Sequence, residues 1–261
     1  MPDWLAGALI AFGIATLSTP AGISGAVFLA PVQISLLDVA NPALTPTNLL
    51  YNVLATPGGL VRFAQEGRLR TPLARALASG SVPGVVAGAI VRVELLPGRR
   101  AILLVVVAVL LPLGGWLLRT HAAPRATARP ARDATRPARW TTWTAAAVGL
   151  VGGIYGIGGG SLLAPLLAAA GYPLALIAPA ALATTFLTSV VGVLSFQLLQ
   201  LAHGSGSIAP DWALGLALGA GGLLGSYTGA TLQPRVPERA LRTLLGTACV
   251  AIAAIYLGEA L

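Results

Sequence analysis

Long apolar blocks separated by short polar stretches dominate the chain. A helix needs about 20 apolar residues to cross the hydrocarbon core of a bilayer. Residues 45–64, 72–92 and 100–118 meet that length in the first half, and residues 174–199, 211–232 and 239–258 meet it in the second. The block at 4–37 is too long for one crossing and is cut at Thr19-Pro20-Ala21-Gly22. It predicts two short helices, 4–18 and 26–37, and the same layout recurs at 142–155 and 160–170. Each pair reads as a hairpin of short helices, re-entrant or steeply tilted. The predicted fold is an all-α polytopic membrane protein, with a first membrane repeat at 1–118, a linker at 119–140 and a second repeat at 141–261.

The two halves repeat one another in sequence. Gly22-Ile23-Ser24-Gly25-Ala26-Val27-Phe28-Leu29-Ala30-Pro31 returns as Gly156-Ile157-Gly158-Gly159-Gly160-Ser161-Leu162-Leu163-Ala164-Pro165. Gly59 matches Gly192, the row Gly80, Gly84, Gly88 matches Gly221, Gly225, Gly229, and Pro97 with Arg99 matches Pro237 with Arg239. A small-residue break at corresponding places in two halves of a hydrophobic chain points to the substrate site of a transporter. The glycine rows read instead as surfaces for close helix packing.

Composition supports the membrane reading. The chain is 56% hydrophobic and 9% charged, with mean hydropathy +0.83; soluble domains carry about 25% charged residues. The net charge of +8 comes from arginine without any lysine. Six of the arginines (Arg119, Arg125, Arg129, Arg132, Arg136, Arg139) fall in the linker, which marks a cytoplasmic loop by the positive-inside rule rather than a nucleic-acid surface. With hairpins that return to their starting side, loops 38–44 and 200–210 lie outside, loops 65–71 and 233–238 lie inside, and the two halves are inverted. Arg92, Arg99 and Arg100 then fall at the outer end, a misfit to the positive-inside rule for which snorkelling to the interface is the one account. The five tryptophans, Trp4, Trp116, Trp140, Trp143 and Trp212, sit at segment ends as an aromatic belt does. The single cysteine, Cys249, excludes an internal disulfide and reads as helix packing. The N-terminus begins directly with an apolar segment lacking a basic start, which reads as retained.

The candidate substrate site follows from the breaks. The first N–H groups of a helix have no partners within it and carry the positive end of the macrodipole. Glycine lets an anion approach such a terminus closely. Gly22, Ser24 and Gly25 in one half, and Gly156, Gly158, Gly159, Gly160 and Ser161 in the other, are the candidate residues, the two hydroxyls adding donors. Thr47-Asn48-Leu49-Leu50-Tyr51-Asn52 aligns with Ala180-Ala181-Leu182-Ala183-Thr184-Thr185. Asn48 and Asn52 share a helical face, and with Thr184 and Thr185 they either line the substrate path or bond between helices. No Asp, Glu, Lys, Arg or His falls mid-membrane, so dipoles and hydroxyls alone would hold the anion. Asp211, after Pro210, reads as an N-cap. No cofactor or metal is expected.

The doubled glycine–proline motif at 22–31 and 156–167, the TNLLYN run at 47–52 and the glycine rows resemble the sulfite exporter TauE/SafE family of membrane transporters over nearly the whole chain. The resemblance implies transport of sulfite, sulfonates or related small anions. Ser24 and Ala26 replace glycines of the fuller second motif, and Ala183-Thr184-Thr185 stands where the family often has Gly-Thr-Ser. The expected partners are thus a small anionic substrate and the lipid bilayer of the cell's inner (plasma) membrane, with no nucleic acid; a second copy of the chain, as a homo-oligomer, is left open. The rival reading is an intramembrane serine protease using the GxSG at 22–25. It needs a general base in hydrogen-bond reach, and the two histidines, His121 and His203, fall in the linker and in the loop 203–207.

Overall fold

The computed structural model describes residues 3–37, 39, 43–69, 72–96, 98–122, 139–169, 172, 174–203 and 208–260; apart from its ends, the Arg/Pro-rich linker expected at 119–140 lies outside them. Among the described residues every regular element is a helix. In the first half these are α1 (Asp3–Ser18), extended by the single 3-10 turn Thr19–Ala21, then α2 (Ala26–Ser35), α3 (Leu44–Gln65), α4 (Pro72–Glu94) and α5 (Arg99–Ala122). In the second they are α6 (Arg139–Tyr155), α7 (Gly160–Ala169), α8 (Leu174–His203), α9 (Trp212–Leu232) and α10 (Glu238–Ala260). The helices coincide with the apolar blocks to within a few residues. Trp4–Ala21, Pro72–Glu94 and Leu176–His203 are long and apolar enough to cross a membrane. At 22, 24, 21 and 23 residues, α3, α5, α9 and α10 also match a hydrocarbon core of about 30 Å in length. Asp211 caps α9 as its position suggests, its Oδ1 accepting from the Leu214 N–H at 3.0 Å.

The short helices fold back on their predecessors. A Cβ on Gly7, near the start of α1, would lie 3.5 Å from Leu37, just past the end of α2. Leu163 and Leu167 of α7 share a buried cluster with Ala145 and Val148 from the early part of α6. Both hairpins therefore return toward the end at which they began.

Packing pairs the halves crosswise. Helix α1 lies against α9, and its counterpart α6 lies against α4. The glycine rows make both contacts possible, because a Cβ would strike partner backbone at each position. Gly80, Gly84 and Gly88 meet the carbonyl oxygens of Thr142, Ala146 and Leu150, while Gly221, Gly225 and Gly229 meet those of Ala8, Phe12 and Thr16. The ascending order in both series makes each pair parallel. Equivalent helices from the two halves run the other way. Gly59 of α3 packs on Leu182 of α8, whereas Gly192 of α8 packs on Leu49 of α3; the order reverses, so α3 and α8 are antiparallel. Gly114 of α5 faces Cys249 and Val250 of α10, and Gly246 faces Leu117 and Leu118, again antiparallel.

Two sets of contacts mark the ends of the bundle. At one end Glu94 pairs with His203 at 3.0 Å, and the Asp211 N–H donates to Thr47 Oγ1 at 2.8 Å. At the other, Arg68 donates to Gln233 Oε1 at 3.3 Å and pairs with Glu66. Trp4, Trp140, Trp143 and Trp212 are exposed near helix starts.

Arg92 corrects the sequence expectation. It does not snorkel; it is fully buried, among the largest side chains in the interior. Its Nε donates to Thr45 Oγ1 at 3.1 Å, its Nη1 donates to the Leu96 carbonyl, and Thr45 in turn donates to the Ile154 carbonyl. A guanidinium near the end of α4 finds protein oxygens on Thr45 and Leu96 before it finds an interface.

Candidate functional site

The two breaks meet inside the bundle. Ser24, just before α2, donates its backbone N–H to the Oγ of Ser161, in the first turn of α7, at 3.1 Å. Both residues are buried. The N-terminal ends of the two short helices, each carrying roughly +0.5 of an elementary charge, are thus in contact. Gly22 and Gly156 hold the same left-handed conformation at equivalent positions, with φ of 74° and 86°. Each packs on the equivalent residue of the opposite half: a Cβ on Gly22 would lie 3.1 Å from Ala178 Cα, and one on Gly156 3.1 Å from Thr45 Cα. Gly158 also has positive φ, 68°; Ser24 stands in its place in the first half.

The remaining candidate glycines are surrounded by protein. The Cβ direction of Gly25 is filled by the Tyr51 hydroxyl, that of Gly159 by Ser81, and that of Gly160 by the Ala181 carbonyl and Thr185 Oγ1. Their bare Cα atoms therefore serve close packing around the breaks. The Gly159 N–H donates to Thr188 Oγ1 at 3.0 Å. Ser24 Oγ accepts from the Ala26 N–H at 3.2 Å and donates to Asn52 Oδ1. Ser161 Oγ donates to the Ile157 carbonyl at 3.4 Å. The two serine hydroxyls and the N–H groups of Ser24, Ala26 and Gly159 are thus engaged within the protein.

On the flanking helices the candidates divide. Asn48 is an interhelical clamp, donating to the Ala26 carbonyl at 2.9 Å and accepting from Gln33 Nε2 at 3.0 Å. Thr184 bonds back to the Ala180 carbonyl at 2.8 Å, and Thr185 is buried against Gly158 and Gly160. Asn52 is buried at the site with its amide nitrogen unpartnered. Sequence reasoning passed over Tyr51, Thr19, Thr56 and Ser226, which with Ser24 and Gly25 line a small cavity beside the first break. It also passed over Thr188, which continues the Thr184–Thr185 face at helical spacing. Tyr51 lies inside the TNLLYN run and Ser226 directly follows a glycine of the second row, so both were within marked segments. Tyr51 is set apart from packing residues by a buried hydroxyl without a partner, whereas Ser226 Oγ accepts from the Gly59 N–H at 3.1 Å and donates to the Ala55 carbonyl; only three dimensions reveal that difference.

Residues 7–256 match the family described as Sulfite exporter TauE/SafE. The chain belongs to the sulfite exporter TauE/SafE family. Membership makes it a membrane protein of a transporter family associated with sulfite and related anions. No curated protein and no solved structure in the comparisons matches the chain. Against the protease alternative stand two placements in this family member: Ser24 Oγ is bonded to Asn52, and His203 ends α8 beside Glu94.

Proposed function

We propose that the chain is a secondary transporter that exports a small anion, sulfite or a small organosulfonate, across the inner (plasma) membrane as a multi-pass protein. The anion is held between the N-terminal ends of α2 and α7. The observation that carries this reading is the Ser24–Ser161 contact, which apposes two positive helix ends in a buried setting. Like partial charges in a low dielectric are relieved by an anion placed between them. Asn52, with an amide nitrogen lacking a partner, stands beside them. The two repeats are inverted in the membrane, a reading supported by the antiparallel α3/α8 and α5/α10 pairs and by the returning hairpins, with the 119–140 linker cytoplasmic. Inversion suits alternating access, since each half then mirrors the other's role at opposite faces.

An inside-negative potential favours anion exit by about 2.3 kcal/mol per charge per 100 mV. Flux of sulfite in proteoliposomes, with potential and pH gradient imposed separately, tests the proposal. Sulfite efflux accelerated by an inside-negative potential is expected. Absence of sulfite and sulfonate flux under every gradient would overturn it.

A further inference from the structure

The two breaks are alike in backbone and unlike in what covers them. Over the first lies a phenol: Tyr51 is 1% exposed, and its hydroxyl fills the space beside Gly25, the residue that opens α2. The counterpart of Tyr51 in the second half is Thr184, whose hydroxyl is satisfied by the Ala180 carbonyl, and the space beside Gly159, the counterpart of Gly25, is filled by Ser81. Tyr51 OH has no hydrogen-bond partner. A buried hydroxyl without a partner is a net cost, and phenylalanine would fill the same space without it. Tyr51 and Gly25 also line one cavity, together with Thr19, Ser24, Thr56 and Ser226. Its neighbour Asn52 presents a second unpartnered group, the amide nitrogen. With Asn52 so oriented, both groups have hydrogens to give and nothing to receive them.

We infer that the transported oxyanion binds asymmetrically, in the cavity at the first break, with the Tyr51 hydroxyl as its donor. This rests on the anion-transport reading and adds the subsite and the residue that define it. In the present arrangement the cavity has about 10 Å³ free, space for a water molecule. An oxyanion enters when the phenol swings off Gly25, and the hydroxyl then turns from covering the helix end to bonding one of the anion's oxygens. Access to the α2 terminus and donation to the ligand are thereby one movement of one side chain.

The test is Tyr51→Phe in the full-length protein, measured by sulfite flux in proteoliposomes and by titration of sodium sulfite onto purified protein. The variant removes an unpaired group, so its melting temperature without sulfite should equal or exceed that of the wild type. Its KM for sulfite and its dissociation constant should both rise about 10-fold or more, as expected for loss of one hydrogen bond to a charged ligand. Unchanged sulfite affinity in both measurements would overturn the inference while leaving the transport reading intact. So would a lowered melting temperature with unchanged affinity, which would make the hydroxyl structural. A wild-type protein that neither binds nor moves sulfite or sulfonates would remove the transport reading, and this one with it.

Discussion

Arg92 reaches Thr45 across one end of the bundle, Nε to Oγ1 at 3.1 Å, and through it the carbonyl of Ile154. The position equivalent to Arg92 in the second half is Gln233, which donates to the carbonyl of Pro20 at 2.9 Å. Ile154 and Pro20 are themselves equivalent. Each half thus ties the end of its fourth helix to the end of the other half's first hairpin helix, one tie carrying a charge and the other none.

Replacing Arg92 with leucine leaves the Thr45 and Leu96 oxygens short of donors in the interior. Hydrogen bonds from charged groups contribute about 1.5–3 kcal/mol each, and a chain of this size loses about 2–4 °C per kcal/mol. The melting temperature of Arg92→Leu in detergent should fall by roughly 6–24 °C for the two bonds lost, with Arg92→Gln less affected because it copies the opposite end. Equal melting of wild type and Arg92→Leu would show that the tie adds nothing.

The glycine rows should be intolerant even of alanine. A methyl at Gly84 or Gly225 would overlap the carbonyl oxygen of Ala146 or Phe12, and the backbone has no rotamer by which to yield. Gly84→Ala and Gly225→Ala should sharply reduce folded protein recovered from membranes. Gly115→Ala has open space around it and should be neutral or stabilising by up to about 1 kcal/mol through helix propensity. Recovery after size-exclusion chromatography distinguishes the two groups.

The proposed inversion of the two repeats in the membrane has a direct test. Reporter fusions inserted in the 119–140 linker and placed after Leu261 should report opposite faces, the linker cytoplasmic. Reporters on the same face would exclude inversion.

Ser24→Ala removes the oxygen that accepts from the Ala26 N–H and the donor to Asn52. A hydrogen bond of this kind contributes about 1 kcal/mol, so sulfite flux should drop less than 10-fold. The wild type should not react with a serine-directed phosphonate. Complete loss of activity in the variant together with phosphonate labelling of the wild type would restore the protease reading.

Much of this arrangement was legible in the sequence because hydrophobic length and repetition are one-dimensional signals. The helix boundaries, the paired breaks and the glycine rows came from those signals. The role of individual polar residues did not. Asn48 and Asn52 share a face and a residue type, yet one is spent clamping α2 to α3 and the other keeps a free amide. Arg92 looked like an interfacial cation because it stands near a helix end; its burial depends on Thr45, distant in sequence. Tyr51 carries no signal of its own within the 47–52 run; the placement of its hydroxyl beside Gly25 is a tertiary fact.

The crosswise packing of α1 on α9 and α6 on α4 has a bearing on how the protein is made. When α6 leaves the ribosome, α4 is already waiting. Helix α1 is synthesised long before its partner, which begins only at Trp212. At about 5–20 residues per second, the first hairpin stands without its companion for roughly 10–40 s. Two seams that are near copies in space are therefore assembled on different schedules, and the one formed by α1 and α9 depends on whatever shelters α1 in the meantime.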